Sequence, residues 1–213
     1  MNILAIGAHL DDIELACGGT LAKAVKNGHN VKMLVMTDSA YTNFDGTVLR
    51  TREEALEEGK AAADSLGVKD LEILDFPIKN IPYNGDTVEK INRVIDEFKP
   101  DYIFTHWVHD THQDHMNTAL ATISAARYKG NIFMHEPFPP SGRSYVAFRP
   151  QAYFDITDTI EEKVISLKEH KSQHSKYGDD WTDAVRGRAR ARGFESGYKY
   201  AEVFEIVRTD FKL

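Results

Sequence analysis

Two short stretches carry side chains suited to holding a metal ion: "AHLDDIE" at 8–14 and "THWVHDTHQDH" at 105–115. The first supplies His9, Asp11 and Asp12; the second supplies His106, His109, Asp110, His112, Asp114 and His115. Four of the chain's nine histidines fall in the second stretch, a density that ordinary loops do not need. His9 and Asp12 are three residues apart, as are His112 and His115. In the first turn of a helix such a pair lies on one face and can converge on a point. Imidazole and carboxylate suit a divalent ion of the zinc type, and a catalytic site uses three protein ligands and keeps one position open. Water there is acidified towards neutral pH. Spacing alone leaves open which of Asp11 and Asp12 binds metal.

Each cluster alone has a plainer reading. Asp11 or Asp114 could cap the helix it precedes, and a histidine after a strand is often only solvated. Two clusters at equivalent strand ends weigh against that reading. His29, His135, His170 and His174 stand alone and read as structural, as does Cys17, a small buried residue.

The elements that must position these groups alternate along the chain. Residues 2–6 are an apolar strand, 13–27 a helix stopped by Gly28, and 30–37 a second strand. A polar loop at 38–48 leads to a helix at 51–68, a strand at 71–77, a helix at 87–100 and a strand at 101–107. A helix at 114–128 and a strand at 131–137 follow, then a proline-rich loop at 137–144. An amphipathic helix at 159–173, a basic run holding Arg186, Arg188, Arg190 and Arg192, and an edge strand at 198–207 complete the chain. The alternation predicts an α/β fold: a single domain over 1–213 with a Rossmann-like, mainly parallel sheet and helices on both faces. Both clusters then sit at carboxyl ends of strands, where such sheets bind ligands.

The 213 residues are 42% hydrophobic and 28% charged, with a net charge of −7. That balance argues against a nucleic-acid-binding face, which must be basic. No stretch is apolar for the roughly 18 residues a membrane span needs, and no basic region precedes the first strand as in a signal peptide. The single cysteine permits no internal disulfide and suits a reducing compartment; the cytoplasm is the expected location.

With these residues in place, the chain resembles the PIG-L/LmbE-like family of metal-dependent N-deacetylases. "AHLDDIE", including Glu14, matches the family's first signature and "HQDH" at 112–115 its second. Weaker matches run through "GGT" at 18–20, "LGV" at 66–68, "HKSQ" at 170–173 and "ARARGFESGYKYAEVF" at 189–204. The resemblance implies zinc (or another divalent metal) on His9, Asp12 and His115. It implies Asp11 as general base towards the attacking water. His112 would stabilise the oxyanion in protonated form or serve as acid towards the leaving amine, and Asp114 would orient an imidazole. It implies an arginine near the start of the second helix as substrate contact, Arg52 before Arg50. The implied partner is a small N-acetylated amino sugar of the N-acetylglucosamine type or its conjugate, and a homo-oligomer is compatible. Leu10 stands where the family has proline, so the turn lacks proline's fixed φ.

Other readings are a zinc amidase acting on a thiol conjugate or other non-sugar amide, a nucleotide-binding module, and a non-catalytic metal-binding protein. "GAHLDD" lacks the G-x-G-x-x-G phosphate turn, and a purely structural site has no use for Asp11 and His112. Trp107, Tyr41 and Phe44 are candidate aromatic platforms, though packing suits each of them as well.

Overall fold

The first strand, β1 (Asn2–Gly7), is apolar on both sides. Ile3 and Ala5 enter one core layer, Leu4 and Ile6 the other, as expected for a strand covered on two faces. The structure, a computed structural model, describes residues 1–210; the last three residues of the expected 1–213 domain lie outside the described residues. After β1 come α1 (Asp12–Lys26), β2 (Asn30–Val35), a small hairpin of β3 (Tyr41–Thr42) and β4 (Val48–Arg50), and α2 (Arg52–Ser65). Then follow β5 (Asp70–Ile73), α3 (Gly85–Phe98), β6 (Tyr102–Thr105), α4 (Gln113–Ala125), β7 (Ile132–His135) and β8 (Ala152–Asp155). The chain closes with α5 (Ile160–Glu169), α6 (Lys171–Tyr177), α7 (Asp179–Ser196) and β9 (Ala201–Arg208).

Seven strands form one sheet in the order β5-β2-β1-β6-β7-β9-β8. The first five are mutually parallel, and β9 runs antiparallel between β7 and β8. Leu10, Ile13 and Leu21 pack with Met33 and Phe104 on one face. On the other, Ile91, Val94, Ile95 and Ala121 from α3 and α4 pack on Leu4, Ile6 and Ile103. Each such side chain contributes about 1.5–3 kcal/mol when fully buried. Among the described residues no helix is long and apolar enough to cross a membrane.

The expected mainly parallel α/β sheet is present, with local differences. The strand expected at the edge over 198–207 is β9, an interior strand whose first five residues are buried. The edge belongs to β8, which is only four residues long and half-buried throughout, too short to register as a strand pattern. The helix expected over 159–173 breaks at His170, whose ψ of 67° is not helical. The loop expected over 38–48 contains β3 and the start of β4.

From β1 the chain crosses to β2, away from β6, and from β6 it crosses to β7 on the other side. The crevice of the sheet therefore opens between the carboxyl ends of β1 and β6. Both polar clusters are placed there by the fold.

Candidate metal centre

The turn after β1 bends sharply: Asp11 has φ 133°, a left-handed conformation that costs a residue with a Cβ about 1–3 kcal/mol. Its surroundings supply the rigidity that proline would have given. The Leu10 amide donates to Ser39 Oγ at 2.8 Å, and its carbonyl accepts from Arg50 Nη1 at 3.1 Å. The Leu10 side chain is fully buried against Gly59, where any Cβ would run into Leu10 Cδ2. Gly59 thus marks a close helix-to-turn approach. Asp11 stands at the N-cap of α1 yet makes no side-chain capping bond; its carboxyl lines the cavity instead.

Three donors meet across the crevice. His9 Nδ1 lies 3.3 Å from Asp12 Oδ2 and 3.3 Å from His115 Nε2, and His115 Nε2 lies 3.4 Å from Asp12 Oδ1. A tetrahedral zinc ion with ligands at 2.0–2.1 Å has ligand-to-ligand edges of about 3.3–3.4 Å. The His9–His115 separation matches such an edge, and each imidazole has one Asp12 oxygen at a similar distance. One donor atom from each residue lies within 4.8 Å of the others, so His9, Asp12 and His115 can hold a divalent ion.

Each imidazole of the trio has a carboxylate on its other nitrogen. His9 Nε2 contacts Asp114 Oδ2 at 3.0 Å, and His115 Nδ1 contacts Asp110 Oδ2 at 3.1 Å. Such partners fix the tautomer and leave the facing nitrogen for metal. Asp114 is itself pinned by the backbone amides of Lys79 and Ile81 at 2.6 and 3.0 Å. The imidazole that Asp114 contacts is therefore His9. Asp110 was visible in the second cluster, but its pairing with His115 is a feature of the turn's folding that spacing does not reveal. His106 Nε2 accepts the Ala8 amide at 2.9 Å, which commits its lone pair and ties the ends of β1 and β6 together.

These contacts split the ionisation of like residues. Burial pulls His9 and His115 down, but carboxylates outweigh it. Hydrogen bonds to Asp114 and Asp12 raise His9 to about 9, and Asp12 with Asp110 raises His115 to about 10. Burial would raise Asp12, yet the charge of His115 holds it well below the usual carboxylate range. Asp11 is instead raised to about 6 by burial and by the neighbouring Asp12 charge. Burial and the positive His115 and His9 push His112 down to about 4. His112 caps α4, its Nδ1 accepting the Asp114 amide at 3.2 Å. In its neutral form the proton is then on Nε2. The capping bond thus leaves Nε2 as the nitrogen that can donate into the cavity.

A cavity of about 370 Å³ joins these groups, lined among others by Asp11, His112, Arg50, Tyr41 and the 136–141 strap. Arg50 is buried, with Nη2 at 2.9 Å from Glu58 Oε2 and 3.2 Å from His170 Nδ1, while its Nε has no partner among the described residues. His170 continues to Glu14 at 3.1 Å, so the buried pair backs the turn. Arg52, expected to contact substrate, lies outside the lining; its side chain is 65% exposed and paired with Asp38 at 3.3 Å. The basic run is also occupied. Arg186 pairs with Glu161, Arg192 with Glu136 and Glu195, and Arg188 and Arg190 donate to the Pro137 and Lys199 carbonyls. Trp107 is a core residue donating to Glu205 at 3.1 Å, and Phe44 is fully exposed.

The chain is similar to the diacetylchitobiose deacetylase of Thermococcus kodakarensis, with 29% identity over 97% of this chain and 83% of that one. It is 31% identical to the uncharacterized deacetylase YaiS of Escherichia coli over 80% of this chain and 91% of that one. Its fold matches GalB, the 4-carboxy-2-hydroxymuconate hydratase of Pseudomonas putida, with a TM-score of 0.81 at 18% identity, covering 100% of this chain and 98% of that one. A hydratase on the same fold shows that architecture alone does not decide the reaction. The family described as PIG-L, GlcNAc-PI de-N-acetylase, matches residues 4–126, more than half of the sequence and both halves of the centre, and the chain belongs to that family.

Proposed function

We propose that the protein is a zinc-dependent hydrolase that removes the acetyl group from an N-acetylamino sugar of the N-acetylglucosamine type, or from a conjugate of one. The observation that carries this reading is the trio of His9, Asp12 and His115, whose donor atoms are close enough to share an ion, opening onto a cavity that also presents Asp11 and His112. The family description and the Thermococcus relative both name N-acetylated sugars, which supports the substrate class.

A divalent ion held by the trio supplies Lewis acidity, acidifying water and polarising a carbonyl. The chain's own groups do the rest. Asp11, free of capping bonds and with a raised pKa, accepts a proton from the attacking water. Neutral His112 donates from Nε2 to the oxygen that gains charge as the acetamide carbon becomes tetrahedral. The proton taken by Asp11 is available to the departing amine, which must leave protonated. Asp114 and Asp110 hold the two ligand imidazoles in their tautomers. Arg50, which lines the cavity and whose buried Nε has no partner among the described residues, is the arginine assigned to the substrate in this reading.

The test is acetate release from N-acetylglucosamine and several of its conjugates by metal-stripped protein, with and without zinc, beside Asp11→Ala. Zinc-dependent release lost in the variant is the expected result. Stoichiometric metal binding without cleavage of any acetylated sugar would overturn the substrate class, and failure to bind metal would overturn the whole reading.

A further inference from the structure

His135 ends β7, the strand next to β6, and so stands at the same carboxyl edge of the sheet as the two clusters. It lines the cavity and is 4% exposed, yet neither ring nitrogen has a hydrogen-bond partner among the described residues. The imidazoles around it are all engaged. His9 contacts Asp114, His106 takes the Ala8 amide, His112 takes the Asp114 amide and His115 contacts Asp110. His135 only sets its ring against that of His106, with centroids 4.6 Å apart at 68°.

A buried imidazole without a partner is a poor core residue, and a phenylalanine or leucine would fill β7 better at no polar cost. A metal ligand is not its role, since His135 belongs to none of the donor groups close enough to share an ion. Burial and the adjacent His106 favour the neutral ring. A neutral imidazole offers one N–H and one lone pair. Carboxylates and phosphates only accept and can meet the N–H alone. A hydroxyl both donates and accepts, so a single one can meet whichever nitrogen, N–H or lone pair, is turned towards it.

We infer that His135 is a specificity-determining residue that reads a hydroxyl group of the substrate at the inner wall of the cavity. The inference rests on the deacetylase reading above and adds which kind of substituent is recognised and by which side chain. A sugar carries several candidate hydroxyls, and a bound water offers the same chemistry, so the experiment must separate the two sources.

The measurement compares the wild-type protein with His135→Phe and His135→Gln on N-acetylglucosamine and its 3-, 4- and 6-deoxy analogues. Binding is read by calorimetry in the zinc-loaded Asp11→Ala background, and kcat/KM in the parent. Removing the recognised hydroxyl should cost the wild-type protein at least about tenfold, for one analogue only. In His135→Phe that difference should vanish while zinc content stays unchanged. His135→Gln, which keeps a donor and an acceptor, should restore part of it and also serves if the phenylalanine variant folds poorly. An equal loss on every analogue, as a water or a packing role would give, overturns the assignment, as does no loss at all. If the wild-type protein handles none of these sugars, the proposed function falls and takes this assignment with it. If it cleaves them without any His135-dependent discrimination, only the assignment falls.

Discussion

The β1–α1 half of the centre carries two adjacent carboxylates, the β6–α4 half two imidazoles three residues apart, and each half pulls its pair in opposite directions. Asp12 is held low while Asp11 rises to about 6; His115 rises to about 10 while His112 falls to about 4. In both halves the group with partners takes its charged form. Asp12 has imidazoles around it, and His115 lies between Asp12 and Asp110. The other member has no ion-pair partner among the described residues and keeps a form suited to moving a proton. Pairs of like groups driven apart by their surroundings are how acid, base and ligand roles are separated within one site. The difference lies in neighbours, since the residue types within each half are the same.

The largest expected effect removes the carboxylate that both halves share. Asp12→Ala leaves His9 and His115 facing each other at 3.3 Å with no anion between them. We expect loss of bound metal after dialysis and acetate release at background, checked by elemental analysis beside the assay. Retained stoichiometric metal would show that the trio is not the ligand set.

Asp11→Asn tests the other side of the split. It removes the proposed proton acceptor while keeping shape, so metal content should stay at wild-type level while kcat falls by about 10²–10⁴. A fall in metal content of the size seen for Asp12→Ala would make the two carboxylates equivalent and erase the contrast.

Proton linkage sharpens the comparison on the imidazole side. His9 at about 9 and His115 at about 10 both exceed the ordinary 6.5, so metal-free protein carries both protons near pH 7. Each ring must lose one to bind an ion, so two protons leave per metal, and affinity should rise about 100-fold per pH unit between roughly pH 6 and 8. Calorimetry in buffers of different ionisation enthalpy counts the protons; a count of zero would mean that both rings are neutral before metal arrives. The same raised values stabilise the metal-free fold, fully below about pH 6.5 and progressively less as pH climbs to about 9–10.

Asp110→Asn and Asp114→Asn loosen one proposed ligand each without deleting it. Outer carboxylates of this kind are worth about 10–100-fold in metal affinity or activity. Competition with a chelator should place both variants there, between wild type and Asp12→Ala.

What could be read along the chain follows from how local each feature is. The two half-sites lie within single turns, so His9 with Asp12 and His112 with His115 are adjacent in sequence and in space. The parallel sheet is written in strands apolar on both faces, such as Ile3 to Ile6 in β1. By contrast, His170 meets Glu14 across 156 positions, and nothing near either residue announces the other. His135 looked like any solitary histidine because its oddity is a lack of partners, visible only once its surroundings are folded. The interior place of β9 depends on β8, whose four half-buried residues carry too weak a pattern to read. Arg50 and Arg52 differ by two positions, which on a strand-to-helix junction is enough to send one inward and the other out.

That last pair carries the smallest expected effect. Arg52 belongs to an exposed ion pair with Asp38, and such pairs contribute about 0–1 kcal/mol. Arg52→Ala should leave KM unchanged and stability within about 0.5 kcal/mol of wild type. Arg50→Ala should behave oppositely. It removes the cation beside half-buried Glu58, which keeps its bonds from Ser172. It leaves the Leu10 carbonyl without its donor, at a cost of about 1–3 kcal/mol for a buried acceptor left unpaired, and it loosens the turn that carries Asp11. Thermal unfolding and KM measured on the two variants decide between the arginines. A raised KM in Arg52→Ala at unchanged melting temperature would mean that bound substrate reaches over the start of α2, and the exposed guanidinium, not the buried one, would be the contact.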